Sequence, residues 1–294
     1  MLLNKRFFLK CAVVGLVFFM LSCSATRPVD PSAPARGGNA PPYPVSLTTS
    51  ESKRERSIAA WKKLTPAATA NAPLPALAPV TATLTSLPAG GVALRLPQIG
   101  DPAATDATTD GEARRESLRR FITAAGDLIG ADIGQLSLVE IREQSADRRL
   151  ARYEQRPFLR PLRNSYGVVL IAFDATGVIT DLSSTAIPVD ETLARVVNDL
   201  APRLKAEELT AGLTNRTLMT IDAAGVEQVI DLGGAPTIRE LVVYPVLRAG
   251  EPALDFHLAW EIEVKPAGDG PVRTAYLDAI THELLPPPND GPPA

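Results

Sequence analysis

The chain has 294 residues, 45% of them apolar and 21% charged, with 30 Lys and Arg against 33 Asp and Glu for a formal net charge of −3. That near balance gives no general pull toward nucleic acid. Two cysteines and two histidines leave little for metal, thiol or acid-base chemistry.

Cys11 to Leu21 is an apolar run, preceded by Lys5, Arg6 and Lys10 and followed by Ser22 and Cys23. A positive start, a short apolar core and a small residue before a cysteine form the layout of a bacterial secretory signal ending in a lipid-acceptor site. The run is too short for a membrane-spanning helix of ~20 residues. It resembles the bacterial lipoprotein signal, with Met20 standing where Leu, Val or Ile is usual. Residues 1–22 are therefore expected to be a removable signal and Cys23 the lipidation site; a secretory signal cut after Ala25 and an uncleaved anchor are the alternatives. The location this implies is the cell envelope, lipid-anchored to a bacterial membrane, and Ser24 is compatible with the outer membrane of a two-membraned host. Cys11 reads as a small hydrophobe. With the signal removed, Cys23 is the sole thiol, so the fold must rest on packing rather than a disulfide, and thiolate-bound zinc and thiol catalysis are excluded.

Residues 23–111 are dominated by Ala, Pro, Thr, Ser and Gly, as in Ala72 to Pro79. Such composition offers little apolar surface to offset chain entropy and predicts an extended tether. Two islands differ: Thr49 to Lys63, with a Ser cap candidate and with Ile58 and Trp61 three apart, predicts a short helix, and Val92 to Leu96 alternates as an added strand.

Residues 112–188 carry regular elements. Glu116 to Ile129 sets Leu118, Phe121, Ile122, Ala125, Leu128 and Ile129 on one helical face, Arg114, Arg115, Arg119 and Arg120 on the other, and Gly130 as a stop. Strands are predicted at Leu136–Ile141, Arg149–Glu154, Tyr166–Phe173 and Val178–Leu182, the last pair joined by the turn Asp174 to Gly177. Residues 189–285 repeat the plan. Asp190 caps a helix from Glu191 to Leu200, Lys205 to Ala211 is a second helix stopped at Gly212, and strands follow at Leu218–Ile221, Val226–Asp231, Glu240–Leu247, His257–Lys265 and Val272–Leu277. Each unit is a helix followed by an antiparallel meander, so the fold class is α+β.

Three blocks then carry a resemblance: Leu241 to Pro245 (LVVYP), Leu258 to Val264 (LAWEIEV) and Ala275 to Leu285 (AYLDAITHELL). They resemble the end of the propeptide of thermolysin-like and fungalysin-like metalloproteases. Ala151 to Gln155 and Val168 to Thr180 are similar to an earlier block of the same family. The resemblance implies an FTP domain over 112–188 and a PepSY-like domain over 189–285, each cystatin-like, with a sheet curled around a helix. It also implies a role as inhibitor or folding chaperone of a zinc protease. Phe158 to Tyr166 departs from the family's strand, and His282 stands where its hairpin glycine is usual.

No protease segment is present in the sequence, and no catalytic constellation replaces it. A zincin needs H-E-x-x-H, whereas His282-Glu283 is followed by Leu284, Leu285 and Pro286. His282 reads as a polar hairpin residue, His257 as a solvated or satisfied edge histidine, and Gly233-Gly234 as a turn. No catalytic residue, metal ligand or cofactor is expected. Arg148, Arg149, Arg152, Arg156, Arg160 and Arg163 crowd one strand-turn region. Arginine forks suit acidic partners, and Arg148, Arg152, Arg156 and Arg160 are the partner-binding candidates, against the alternative of a solvated face paired with Glu140, Glu143 and Glu154. The Pro-rich tail, 286–294, reads either as a strand able to lie in a partner's cleft or as a loose end. Asn215-Arg-Thr217 matches a glycosylation sequon that in a bacterial lipoprotein is coincidence. The expected whole is a non-catalytic, membrane-anchored lipoprotein, with a thermolysin-like metalloprotease in trans or an envelope protein as partner and no nucleic acid.

Overall fold

The computed structural model describes residues 42–65, 72–89, 92–99, 107–214, 217–221, 227–231, 234–265 and 271–288. Cys11, Cys23, Asn215, Gly233 and the tail beyond Pro288 lie outside them. All described residues fall in one contact unit, Pro41–Ala294.

Within the segment expected to be a tether, the described residues 42–65, 72–89 and 92–99 are instead part of the fold, and the short helix expected there, Thr49 to Lys63, forms. Strand β1 (Val45–Thr48), helix α1 (Glu51–Leu64) and strands β2 (Ala76–Leu77) and β3 (Leu84–Ser86) are all built into the fold. Trp61, Leu84, Leu94 and Leu96 are buried in the same core as the later helix. The composition of this segment is poor in apolar residues, yet the few it has are spaced to be inserted singly, and the surface they cover belongs to elements far along the chain. The Val92–Leu96 island makes only a bridge, Arg95 to Val178, flanked by bonds from Leu96 N to Gly177 O and from Ile179 N to Leu94 O.

Helix α2 (Ala107–Ala124) begins earlier than its apolar stripe suggests. It breaks at Ala125 and resumes as the single turn α3 (Gly126–Ile129). Gly126, a weak helix former, sits at the break. Gly130 ends α3 in the left-handed region, φ 83°, with its N–H on Gly126 O at 2.7 Å. A Cβ there would meet Thr83 Cγ2 at 2.2 Å, so the glycine is required both by φ and by the close approach of the N-terminal segment. After a 3-10 turn at Ile133–Gln135 come β4 (Leu136–Ser145), β5 (Arg148–Gln155), β6 (Val168–Asp174) and β7 (Ile179–Ser184), an antiparallel meander in sequence order. Its inward residues, Ala151, Tyr153, Val169, Ile171, Phe173 and Leu182, pack on Leu118, Phe121, Ile122 and Leu128 of the helices.

Helix α4 (Glu191–Asn198) is capped as expected, the Asp190 carboxylate accepting from Leu193 N at 2.8 Å. Helix α5 (Ala206–Leu213) runs through Gly212 instead of stopping there, because Leu213 is buried with Leu209 against the sheet and holds the last turn. Strands β8 (Thr217–Ile221) and β9 (Glu227–Asp231) pair with each other and, among the described residues, with no other strand. Strands β10 (Thr237–Leu247), β11 (Ala253–Val264) and β12 (Arg273–Asp278) form the second large sheet. The two sheets and their helices confirm the α+β class.

The two flanks of β11 are occupied differently. β10 pairs with β11 from Leu254 to Glu263, which uses one whole flank. On the other flank β1 pairs with Ala253–Phe256 and β12 with Ala259–Val264. The most N-terminal described strand and the C-terminal strand thus lie end to end along one neighbour, so the two units are not simply successive in the chain. Val45, Val243, Leu254 and Phe256 of the second sheet form a core with Val80, Phe158, Tyr166, Ile187 and Val197, which join it from the N-terminal segment, the β5–β6 and β7–α4 connections and α4.

Candidate functional site: a buried carboxylate and an arginine-lined cleft

The seam between β1 and β12 holds the most buried carboxylate among the described residues, Asp278. At Leu258 neither strand reaches β11. The Tyr43 hydroxyl accepts from Leu258 N at 3.1 Å in place of a ladder carbonyl, and Ala279 N donates to Leu258 O at 2.7 Å. The same hydroxyl donates to Asp278 Oδ2 at 2.7 Å, and His257 Nδ1 lies 2.7 Å from that oxygen. Asp278 Oδ1 accepts from Ile280 N and Thr281 N at 2.7 and 2.8 Å. Burial pushes the Asp278 carboxyl up, but the bonds from His257, Thr281 N, Tyr43 and Ile280 N outweigh it and hold the group below its ordinary value. His257 is therefore a satisfied residue on the central strand rather than at an edge. His282 is exposed, takes φ 64° and gives its N–H to Asp278 O, which fits the hairpin reading.

The second feature is the loop from Arg156 to Gly167, which joins β5 to β6. It leaves β5 at Gln155, a buried amide whose Nε2 and Oε1 bond Ile187 O and Ile187 N, each at 2.8 Å. Phe158 packs edge-on against Phe256, ring centroids 5.8 Å apart. Asn198, at the end of α4, accepts from Leu159 N on its side chain at 2.9 Å and from Arg160 Nη1 on its backbone at 3.1 Å. Pro161 O and Arg163 N then bond the two backbone groups of Val243, tying the loop to β10. Asn164 and Ser165 follow with φ 62° and 60°, a costly pair for residues with a Cβ. Asn164 Nδ2 on Pro245 O and Thr185 Oγ1 on Ser165 O hold them there.

These restraints shape a cleft of about 640 Å³ whose walls include Arg152, Arg156, Arg160, Arg163, Leu159 and Tyr276. Of the four partner-binding candidates, Arg152, Arg156 and Arg160 come together here. Arg148 does not: it starts β5, four residues from Arg152, roughly 13 Å along the strand. Arg163, which the sequence places in the cluster without singling it out, completes the wall. It is neutralised by Glu261, at 2.7 Å, and by Glu240. Burial lowers the Arg163 pKa, and Glu261 and Glu240 more than restore it, leaving it above its ordinary value. Arg152 pairs with Glu154 at 3.1 Å. Arg156 and Arg160 have no carboxylate partner among the described residues, and between them Leu159 is 85% exposed.

Pro288 also lines this cleft. Leu285 N bonds Tyr276 O and Tyr244 Oη bonds Pro286 O at 2.7 Å, so the chain runs beside β12 until the prolines, which lack an N–H, end the ladder and carry it toward the arginines. Chemically the cleft can bind anions and apolar groups. Among the described residues no group of His, Cys, Asp and Glu is arranged to hold a metal, and no helix is long and apolar enough to cross a membrane.

The three sequence blocks lie on neighbouring strands: Leu241 faces Trp260 and Trp260 faces Leu277 across β10, β11 and β12. No family model matches the chain, and no curated protein matches it in sequence. Among solved structures the chain is similar to the Bacillus megaterium YpeB C-terminal domain, with a TM-score of 0.25 and 9% sequence identity, over 70% of this chain and 71% of that one. A likeness of that size carries no argument about partners or chemistry.

Proposed function

We propose that the chain is a non-catalytic, lipid-anchored envelope protein that binds a thermolysin-like metalloprotease in trans, as a propeptide-like inhibitor or folding chaperone. The observation that carries this reading is the assembly of the three propeptide-like blocks on adjacent strands of one sheet, with Pro286–Pro288 leaving that sheet beside an open cleft. Binding would rest on surface complementarity, and an anchor at Cys23 would raise the local concentration of the pair. The reading requires no cofactor. Its test is the full chain mixed with the metalloproteases exported by the same organism: slowed hydrolysis or improved refolding supports it, and the absence of both sinks it. Mass spectrometry of the mature amino terminus checks the anchor, since a chain starting elsewhere than a modified Cys23 removes the tethered role.

A second reading, an envelope binding module that has the fold without a protease partner, is favoured by the two arginines left without carboxylates in the cleft. It predicts that charge reversal at Arg156 or Arg160 abolishes capture of an envelope protein while protease activity is unaffected by the chain at any concentration.

A further inference from the structure

We infer that the cleft binds an extended acidic peptide segment, with carboxylates on Arg156 and Arg160 and an apolar side chain against Leu159. This rests on the reading of the chain as a protein-binding module and names the chemistry of its ligand. Three observations carry it.

The first is charge. Arg152 and Arg163 have their own carboxylates, at 3.1 Å for Glu154 and 2.7 Å for Glu261, so they shape the wall without needing a ligand. Arg156 and Arg160 have none among the described residues, and a guanidinium left without an acidic partner at the mouth of a cleft is a site where a carboxylate fork can still be formed.

The second is preorganisation. Leu159 is exposed, yet its backbone is fixed by Asn198 Oδ1, and its neighbours are fixed by the Phe158–Phe256 contact and by Arg160 on Asn198 O. An apolar side chain presented on a fixed backbone loses little further freedom on binding, which is the condition for an anchor residue.

The third is spacing. The two arginines without a carboxylate among the described residues flank the exposed leucine in sequence, and an extended segment sets alternate side chains on one face about 7 Å apart. Acidic, apolar and acidic side chains at every second position, Glu-x-Leu-x-Glu, therefore share one face and match the order arginine, leucine, arginine.

The experiment uses the full chain and a labelled nonapeptide with Glu-Ser-Leu-Ser-Glu at its centre, read by fluorescence anisotropy. Saturable binding that weakens as salt rises is expected. Arg156→Glu and Arg160→Glu should each weaken it about tenfold or more, and Leu159→Ala several-fold. Arg148→Glu should leave it unchanged, because Arg148 is outside the cleft. Arg160→Gln removes the charge while keeping a donor for Asn198 O, and it guards against a folding defect in Arg160→Glu; the melting temperature of every variant is measured alongside. Absence of binding by the wild-type chain overturns the inference, as does equal affinity of the Arg156 and Arg160 variants, or a loss in Arg148→Glu as large as theirs. Protease inhibition is read separately, so a chain that inhibits without binding the peptide refutes the ligand chemistry alone, and one that binds the peptide without affecting any protease refutes the protease reading alone.

Discussion

A carboxylate without solvent exposure is tolerable when its oxygens are all used, and Asp278, fully buried, has four donors on it. Replacing it with Ala strands Tyr43, His257 and two backbone N–H groups together. We expect a loss of about 3–5 kcal/mol, read from denaturant melts. The pH dependence follows from the sign of the shift. The folded pKa lies below the unfolded value of about 3.9, so the native state binds fewer protons there; the stabilisation is complete above about pH 5 and declines as pH falls through the folded pKa. Asp278→Asn should therefore flatten the acid limb of the melting curve while lowering stability near neutrality. Trp61 makes a different case. It is 1% exposed, and its Nε1 has no hydrogen-bond partner among the described residues, so packing carries its contribution. Trp61→Ala should cost about 3–5 kcal/mol, and Trp61→Phe much less, because Phe keeps much of the buried volume and removes the unpaired donor.

At the scale of elements, Gly130 tests whether the segment around Thr83 belongs to the first helical core. Gly130→Ala meets both a left-handed φ and the Thr83 methyl, and a loss of about 2–4 kcal/mol is expected from thermal melts. Combining it with Thr83→Ser, which removes the methyl that clashes, should restore part of that loss; strict additivity would show that Thr83 is not the neighbour. Period and caps made β4 to β7, α4 and β10 to β12 legible in the sequence, because each repeats its apolar pattern often enough to average out single exceptions. Leu84 was not legible, since a lone apolar residue among Pro, Thr and Ala has no period to read, whereas Leu94 lies in the alternating run Val92 to Leu96, which makes a single bridge. The cleft was half legible. Clustered arginines are visible in any sequence, but which carboxylate each one faces depends on the register of Glu154, Glu240 and Glu261. Asp278 carried a weak signal, an Asp ahead of a turn, whose Asx-type bonds to Ile280 N and Thr281 N are those the turn requires.

At the scale of the whole molecule, the interleaved order of strands sets where the chain can be cut. A fragment starting at Gly111 lacks Trp61, Leu84, Leu94 and Leu96 of one core and β1 of the other sheet. It should lose cooperative thermal unfolding, whereas a fragment starting at Pro42 should keep it; circular dichroism melts of the two decide this. The meeting of β1 and β12 along one flank of β11 also fixes a path for mechanical load. A pull applied at Tyr43, ahead of the first ladder bond of β1, is carried through its hydroxyl to the Asp278 carboxylate, at the opposite end of the described sequence, so that one side chain couples the two ends of the chain in a single load-bearing joint.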